Sequence, residues 1–208
     1  GNNYSGATTV FGGILQAGNA GALSASSAFT VSSGARLDLF GYNNTIKSLS
    51  GAGIVENTDA GFSSDLTVGS GSFSGAIQNP GAAAVNLVKT SAGTLFLTGN
   101  GNSYTGTTVI DGGFLSIGDG GATGSIGTGA VTINAGGNLT FQKTGAFSFT
   151  NDVSGAGTLD KLASGTVTLT GNLDGHTGQF RIFSGTVRGG DSNAFGANHS
   201  VQIFAGAN

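Results

Sequence analysis

The sequence predicts an all-β fold, a parallel β-helix (β-solenoid) of about eight coils, and three observations carry that expectation. One long stretch is repeated at large offsets. Apolar residues alternate with polar ones at the period of a strand. Glycine supplies 41 of 208 residues, and only 8 % are charged.

The repeated stretch is Gly99 to Gly118, reading G-N-G-N-S-Y-T-G-T-T-V-I-D-G-G-F-L-S-I-G. Gly1 to Gly18 is an earlier copy, with Tyr4 on Tyr104, Gly6 on Gly106, Thr8 on Thr108 and Gly12-Gly13 on Gly112-Gly113. A looser copy follows at a shorter offset, where His176-Thr177-Gly178 replaces Tyr104-Thr105-Gly106 and Ser184-Gly185 replaces the paired glycines. The lead-in repeats at that same shorter offset, Lys89 to Asn100 matching Lys161 to Asn172. Leu49-Ser50-Gly51-Ala52-Gly53 also returns as Val153-Ser154-Gly155-Ala156-Gly157. Coils of about 24 or 25 residues account for the two main offsets as four coils and three.

The strands read off in order. Thr8 to Phe11 and Ile14 to Ala17 are short strands hinged by Gly12-Gly13, followed by a small-residue loop from Gly18 to Ser27. Phe29 and Val31, then Leu37 and Leu39, alternate strictly; Val131 and Ile133, Leu139 and Phe141, Phe147 and Phe149 do so at eight-residue spacing. Alternation marks one buried face, and the Gly, Ser and Asn between pairs mark turns. No window shows helical apolar spacing with helix-favouring residues. Residues 57–83 are the least regular and carry the turn signal Asn79-Pro80-Gly81, so they are expected to form a loop extension. Sandwiches and barrels have no need of distant copies, whereas a solenoid stacks equivalent strands about 4.8 Å apart, giving a rod roughly 40 Å long. The repeat core is assigned to Leu95, Leu97, Tyr104, Gly106, Val109, Gly112, Gly113 and Leu115, and the whole chain, 1–208, reads as one segment of a longer repeat protein.

Composition narrows the functional classes. A net charge of −3 and seven scattered basic residues give no electrostatic footprint for nucleic acid. The absence of cysteine fits a chain that crosses membranes unfolded. No apolar run is long enough for a membrane-spanning helix.

With Ser91-Ala92-Gly93-Thr94-Leu95-Phe96-Leu97-Thr98-Gly99, Ser103-Tyr104-Thr105-Gly106-Thr107-Thr108-Val109 and Gly112-Gly113-Phe114-Leu115 together, the chain resembles the autotransporter-associated β-strand repeat of bacterial surface proteins. Ala92 to Leu115 is the best copy, Gly1 to Leu15 a second and Gly165 to Val187 a degenerate third. The resemblance implies a right-handed β-helix exported by type V secretion through a C-terminal translocator barrel, and displayed at the cell surface or released. It also implies a role in passenger folding and translocation, and adhesion to host or neighbouring-cell receptors or glycans.

The residues themselves offer little chemistry. Glu56 with Asp59 or Asp65 is the one candidate carboxylate pair, and these read as solvated loop residues. His176 and His199, separated by nearly one coil, fall short of a metal site, and Gly118-Asp119-Gly120-Gly121 does not continue as a calcium-binding repeat. No catalytic residue, metal or cofactor is assigned. The expected role is a structural, adhesive stalk. The alternatives are an end-to-end self-assembling filament, since uncapped solenoid edges pair with other edges, and a carbohydrate-active β-helix enzyme.

Overall fold

A computed structural model describes residues 1–197 and 200–204. The described chain is all β, with no helix, and winds through about nine turns of a parallel solenoid. The first coil holds β1 (Thr8–Val10) and β2 (Ile14–Gln16), and the second holds β3 (Ala28–Val31) and β4 (Arg36–Asp38). β5 (Asn44–Gly51) then turns the corner into the third coil, which continues with β6 (Ile54–Glu56). β7 (Ser64–Phe73) does the same for the fourth, followed by β8 (Ala76–Gln78) and β9 (Val85–Lys89). The fifth has β10 (Thr94–Leu97) and β11 (Thr108–Ile110), and the sixth β12 (Gly113–Ile117) and β13 (Val131–Ile133). The seventh has β14 (Gly137–Phe141), β15 (Phe147–Phe149) and β16 (Val153–Gly155). The eighth has β17 (Thr158–Lys161), β18 (Thr166–Leu169) and β19 (Gly175–His176). The ninth has β20 (Gln179–Ile182) and β21 (Thr186–Gly189), and β22 (Ser200–Ile203) stacks on β20.

Each coil has three sides. The first face stacks β1, β3, the ends of β5 and β7, then β10, β12, β14, β17, β20 and β22. The second stacks β2, β4, β6 and β8, and later β15, β18 and β21. Between those two sets irregular backbone carries the ladder, with Tyr104 N donating to Ile77 O at 3.2 Å and Thr128 N to Tyr104 O at 2.9 Å. The third face stacks the starts of β5 and β7, then β9, β11, β13, β16 and β19. Because β5 and β7 run round the corner, the first and third faces form one 15-stranded sheet.

The inward columns are apolar. On the first face Leu95, Leu115, Leu139, Leu159 and Phe180 lie in register and are fully buried. On the second, Leu15, Leu37, Val55 and Ile77 are in register. Parallel stacking puts like on like about 4.8 Å apart, so each coil buries its core only against the next.

Most coils are shorter than the repeats suggested. The steps from Leu95 to Leu115 and from Leu139 to Leu159 are short, and only steps such as Leu115 to Leu139 approach the expected length. The copies therefore sit on different sides. β1 lies on the first face, whereas its copy β11 lies on the third. Lys89 ends β9 on the third face, and its counterpart Lys161 ends β17 on the first. The recurring unit is one strand with its corner, because every side poses the same local problem. The stretch 57–83 also departs from the expected loop extension. It contains the ten-residue strand β7, and β8, leaving 57–63, the bend at 74–75 and 79–83 outside strands.

Candidate functional surface

The repeat signature builds the inside of the shaft. Leu95, Leu97, Leu115 and Tyr104 are fully buried. The Tyr104 hydroxyl lies 2.8 Å from Thr108 Oγ1, and burial pushes its pKa up to about 12. Tyr4 and Thr8 make the same pair at 2.9 Å, with Tyr4 still 41 % exposed. Val109 differs from its expected core position: it is only half-buried, and Thr108 and Ile110 face inward on either side. In a Thr-Thr-Val-Ile run a one-residue shift of phase reverses which side chains face the core, and the ladder to Val131 and Ile133 sets it.

The glycines of the signature divide into two kinds. Gly113 has φ +65°, and its equivalents Gly13 and Gly185 have +71° and +75°, a region costly for any other residue. The first glycine of the pair is less constrained: a Cβ on Gly112 would come no closer than 3.7 Å to Ser91 O, which is why Ser184 is accepted there in the third copy. Gly106 is a close-approach position, since a Cβ would lie 2.2 Å from Val85 O. His176 is buried on the third face, in the stack of β11, β13 and β16, rather than in the place of Tyr104. Its Nε2 lies 3.1 Å from Gly157 O. His199 lies outside the described residues.

Glu56 is not the solvated loop residue expected, because it is buried in a side of the solenoid. Glu56 meets neither Asp59 nor Asp65. It stands in a column Gln16, Asp38, Glu56, Gln78 on successive rungs of the second face. Gln16 Nε2 donates to Asp38 at 2.8 Å, Arg36 Nη1 to both Glu56 oxygens at 2.8 and 3.0 Å, and Gln78 Nε2 to Glu56 at 3.0 Å. Asp38 also accepts from the Thr58 hydroxyl at 2.6 Å and from the Thr58 and Phe40 amides. Burial alone would push the Asp38 carboxyl up, but these hydrogen bonds outweigh it and hold it below the ordinary value. A second such knot joins Asp160 to Arg181, whose Nε and Nη2 each donate at 2.7 Å, and to Asn138 Nδ2 at 2.8 Å. Asp38, Glu56 and Asp160 are nearly inaccessible and already bonded, so they hold rungs together and do not face a substrate. The signal for this column lay in the sequence as polar residues about one rung apart, but only the register shows it.

Among the described residues several large apolar side chains project, with Phe11 and Phe62 the most exposed of the aromatics. Asn57, fully buried, pins the loop 57–63: its Oδ1 accepts from the Gly41 amide at 2.9 Å and its Nδ2 donates to Phe62 O at 2.9 Å and Ala84 O at 3.2 Å. Asp59 Oδ1 accepts from the Gly61 and Phe62 amides at 2.8 and 2.7 Å, and the Phe62 ring stands 72 % exposed at the tip. Beside it run Phe40 and Tyr42, both exposed, with Phe40 at φ +45°. Among the described residues no group of three or more His, Cys, Asp or Glu could hold a metal ion.

A family model for the passenger-associated transport repeat matches residues 1–17 and 87–117, the two best copies of the signature. The chain carries passenger-associated transport repeats of the autotransporter kind. It is also 35 % identical, over 94 % of its length, to the adhesin BmaC autotransporter of Brucella suis biovar 1 (strain 1330). The chain spans about 6 % of the length of that protein. No solved structure matches it. Autotransporter passengers of this type are displayed outside the cell, at the bacterial surface.

Proposed function

We propose that this chain is a non-catalytic shaft within an autotransporter adhesin passenger, holding a binding surface away from the cell. The observation that carries the reading is the division of labour along the coils. Buried carboxylates are consumed in bonds between rungs, and the pinned loop 57–63 offers an aromatic tip at Phe62 with Phe40 and Tyr42 beside it. Exposed aromatics on a rigid base make low-entropy contacts with receptors or glycans. The adhesin named among its relatives supports the same reading. Stacking of coils outside the cell supplies free energy that favours export through a translocator barrel elsewhere in the parent protein.

The test is binding of the purified chain to cells and to a glycan array. Wild type should bind, and Phe62→Ser should bind at least tenfold more weakly with an unchanged melting temperature. Undiminished binding by Phe62→Ser would remove the loop from the proposal, and hydrolysis of an arrayed glycan would replace the adhesive reading with an enzymatic one.

A further inference from the structure

Two lysines occupy places where the pattern calls for an apolar residue. Lys89 is the last inward position of β9, in register with Val68 on one side and Ile110 on the other. Lys161 is the last inward position of β17, between Phe141 and Ile182. Both are fully buried. Neither makes an ion pair with a carboxylate among the described residues, where the ion pairs are Arg36 with Glu56 and Arg181 with Asp160. A buried ammonium with no partner is costly, so the bonds it does make are informative.

Those bonds all go to corner carbonyls. Lys89 Nζ donates to Thr90 O at 2.5 Å, Ser91 O at 3.0 Å and Gly112 O at 3.0 Å. The first two belong to its own corner and the third to the corner of the following rung. Lys161 Nζ donates to Ala163 O in its own corner and to Ser184 O at 3.3 Å in the following one. Ala163 and Ser184 are the counterparts of Ser91 and Gly112, so a similar cage recurs on two different faces, with three acceptors around Lys89 and two around Lys161. The corner is shaped to allow it. Ser91 takes φ +64°, and each captured carbonyl of the following corner precedes a left-handed glycine, Gly113 or Gly185. A Cβ on Gly185 would sit 2.7 Å from Lys161 Nζ. An ammonium has three donors, and the Lys89 cage offers three acceptors.

We propose that Lys89 and Lys161 are rung-to-rung latches, each filling with a tethered ammonium a cage of corner carbonyls that a small free ammonium ion would also fit. The cage is incomplete within a single coil. It closes only when the next corner lands, so the latch rewards stacking one coil at a time.

Thermal melting of the whole chain tests this. Lys89→Met and Lys161→Met should each lower the melting temperature by about 5 to 10 °C, because buried carbonyls lose their donor. Lys47→Met, at an exposed position, should change nothing. If the lysines only fill space, the methionine variants would melt at the wild-type temperature or above it, since an uncharged chain of similar length escapes the desolvation cost. In Lys89→Ala, methylammonium chloride should raise the melting temperature more than tetramethylammonium chloride, which has no N–H. Equal responses would overturn the cage. Should the variants not fold, the wild type still decides: of its four lysines, Lys89 and Lys161 should show slowly exchanging Nζ–H signals by NMR. Rapid exchange at both would end the proposal.

Discussion

Gly112 and Gly113 are adjacent and identical in the sequence, yet alanine at the two positions should have opposite effects. At Gly113 the backbone sits at φ +65°, which costs an L-residue about 1 to 2 kcal/mol. The new Cβ would also lie 2.3 Å from Ser91 O and 2.6 Å from Gly93 O, both backbone atoms of the neighbouring rung. Relieving that clash requires the corner to shift, for about 2 kcal/mol more. Gly113→Ala should therefore lose about 3 to 4 kcal/mol, lowering the melting temperature by roughly 8 to 12 °C at this chain length. At Gly112 φ is not left-handed and the nearest atom to the new Cβ is 3.7 Å away. Gly112→Ala should be neutral or stabilise by about 0.5 kcal/mol, through the reduced freedom of the unfolded chain. Circular dichroism melts and urea midpoints of the two variants against wild type measure the difference. Equal losses at both positions, or a neutral Gly113→Ala, would refute the corner geometry.

Other outcomes follow from the same geometry. Ile110→Ser should cost about 3 kcal/mol and Val109→Ser less than about 1 kcal/mol, as read by urea denaturation, because only Ile110 lies in the core column. Tyr104→Phe should lose about 1 kcal/mol by leaving the buried Thr108 hydroxyl without its partner, whereas Tyr4→Phe should lose little at its exposed site. Asp38 ionises more readily folded than unfolded, so its contribution is complete above the ordinary carboxylate range and is lost as pH falls through its lower folded value. Urea midpoints between pH 6 and 2, compared with Asp38→Asn, should show a shallower acid limb in the variant. Burial lowers Lys89 to about 8 from its ordinary 10.5, so the folded chain sheds that proton first.

The sequence by itself determined the kind of fold and the chemistry of its corners. Alternation at Leu95 and Leu97, or Leu139 and Phe141, can be satisfied only by a strand with one buried face. The paired glycines marked a corner, but only the backbone geometry, with Gly113 and Gly185 at positive φ, shows that the second of the pair is the constrained one. These are local signals, and local steric rules decide them. The number of residues per coil, the side on which each copy lies, the inward choice of Ile110 over Val109, and the partners of Asp38, Glu56 and Lys89 were decided only by the tertiary structure. All of these depend on what stacks against what. The three sides of the solenoid pose one and the same local problem, so a repeated strand and corner can begin on any of them. Only the accumulated lengths of the intervening corners fix which rung it meets.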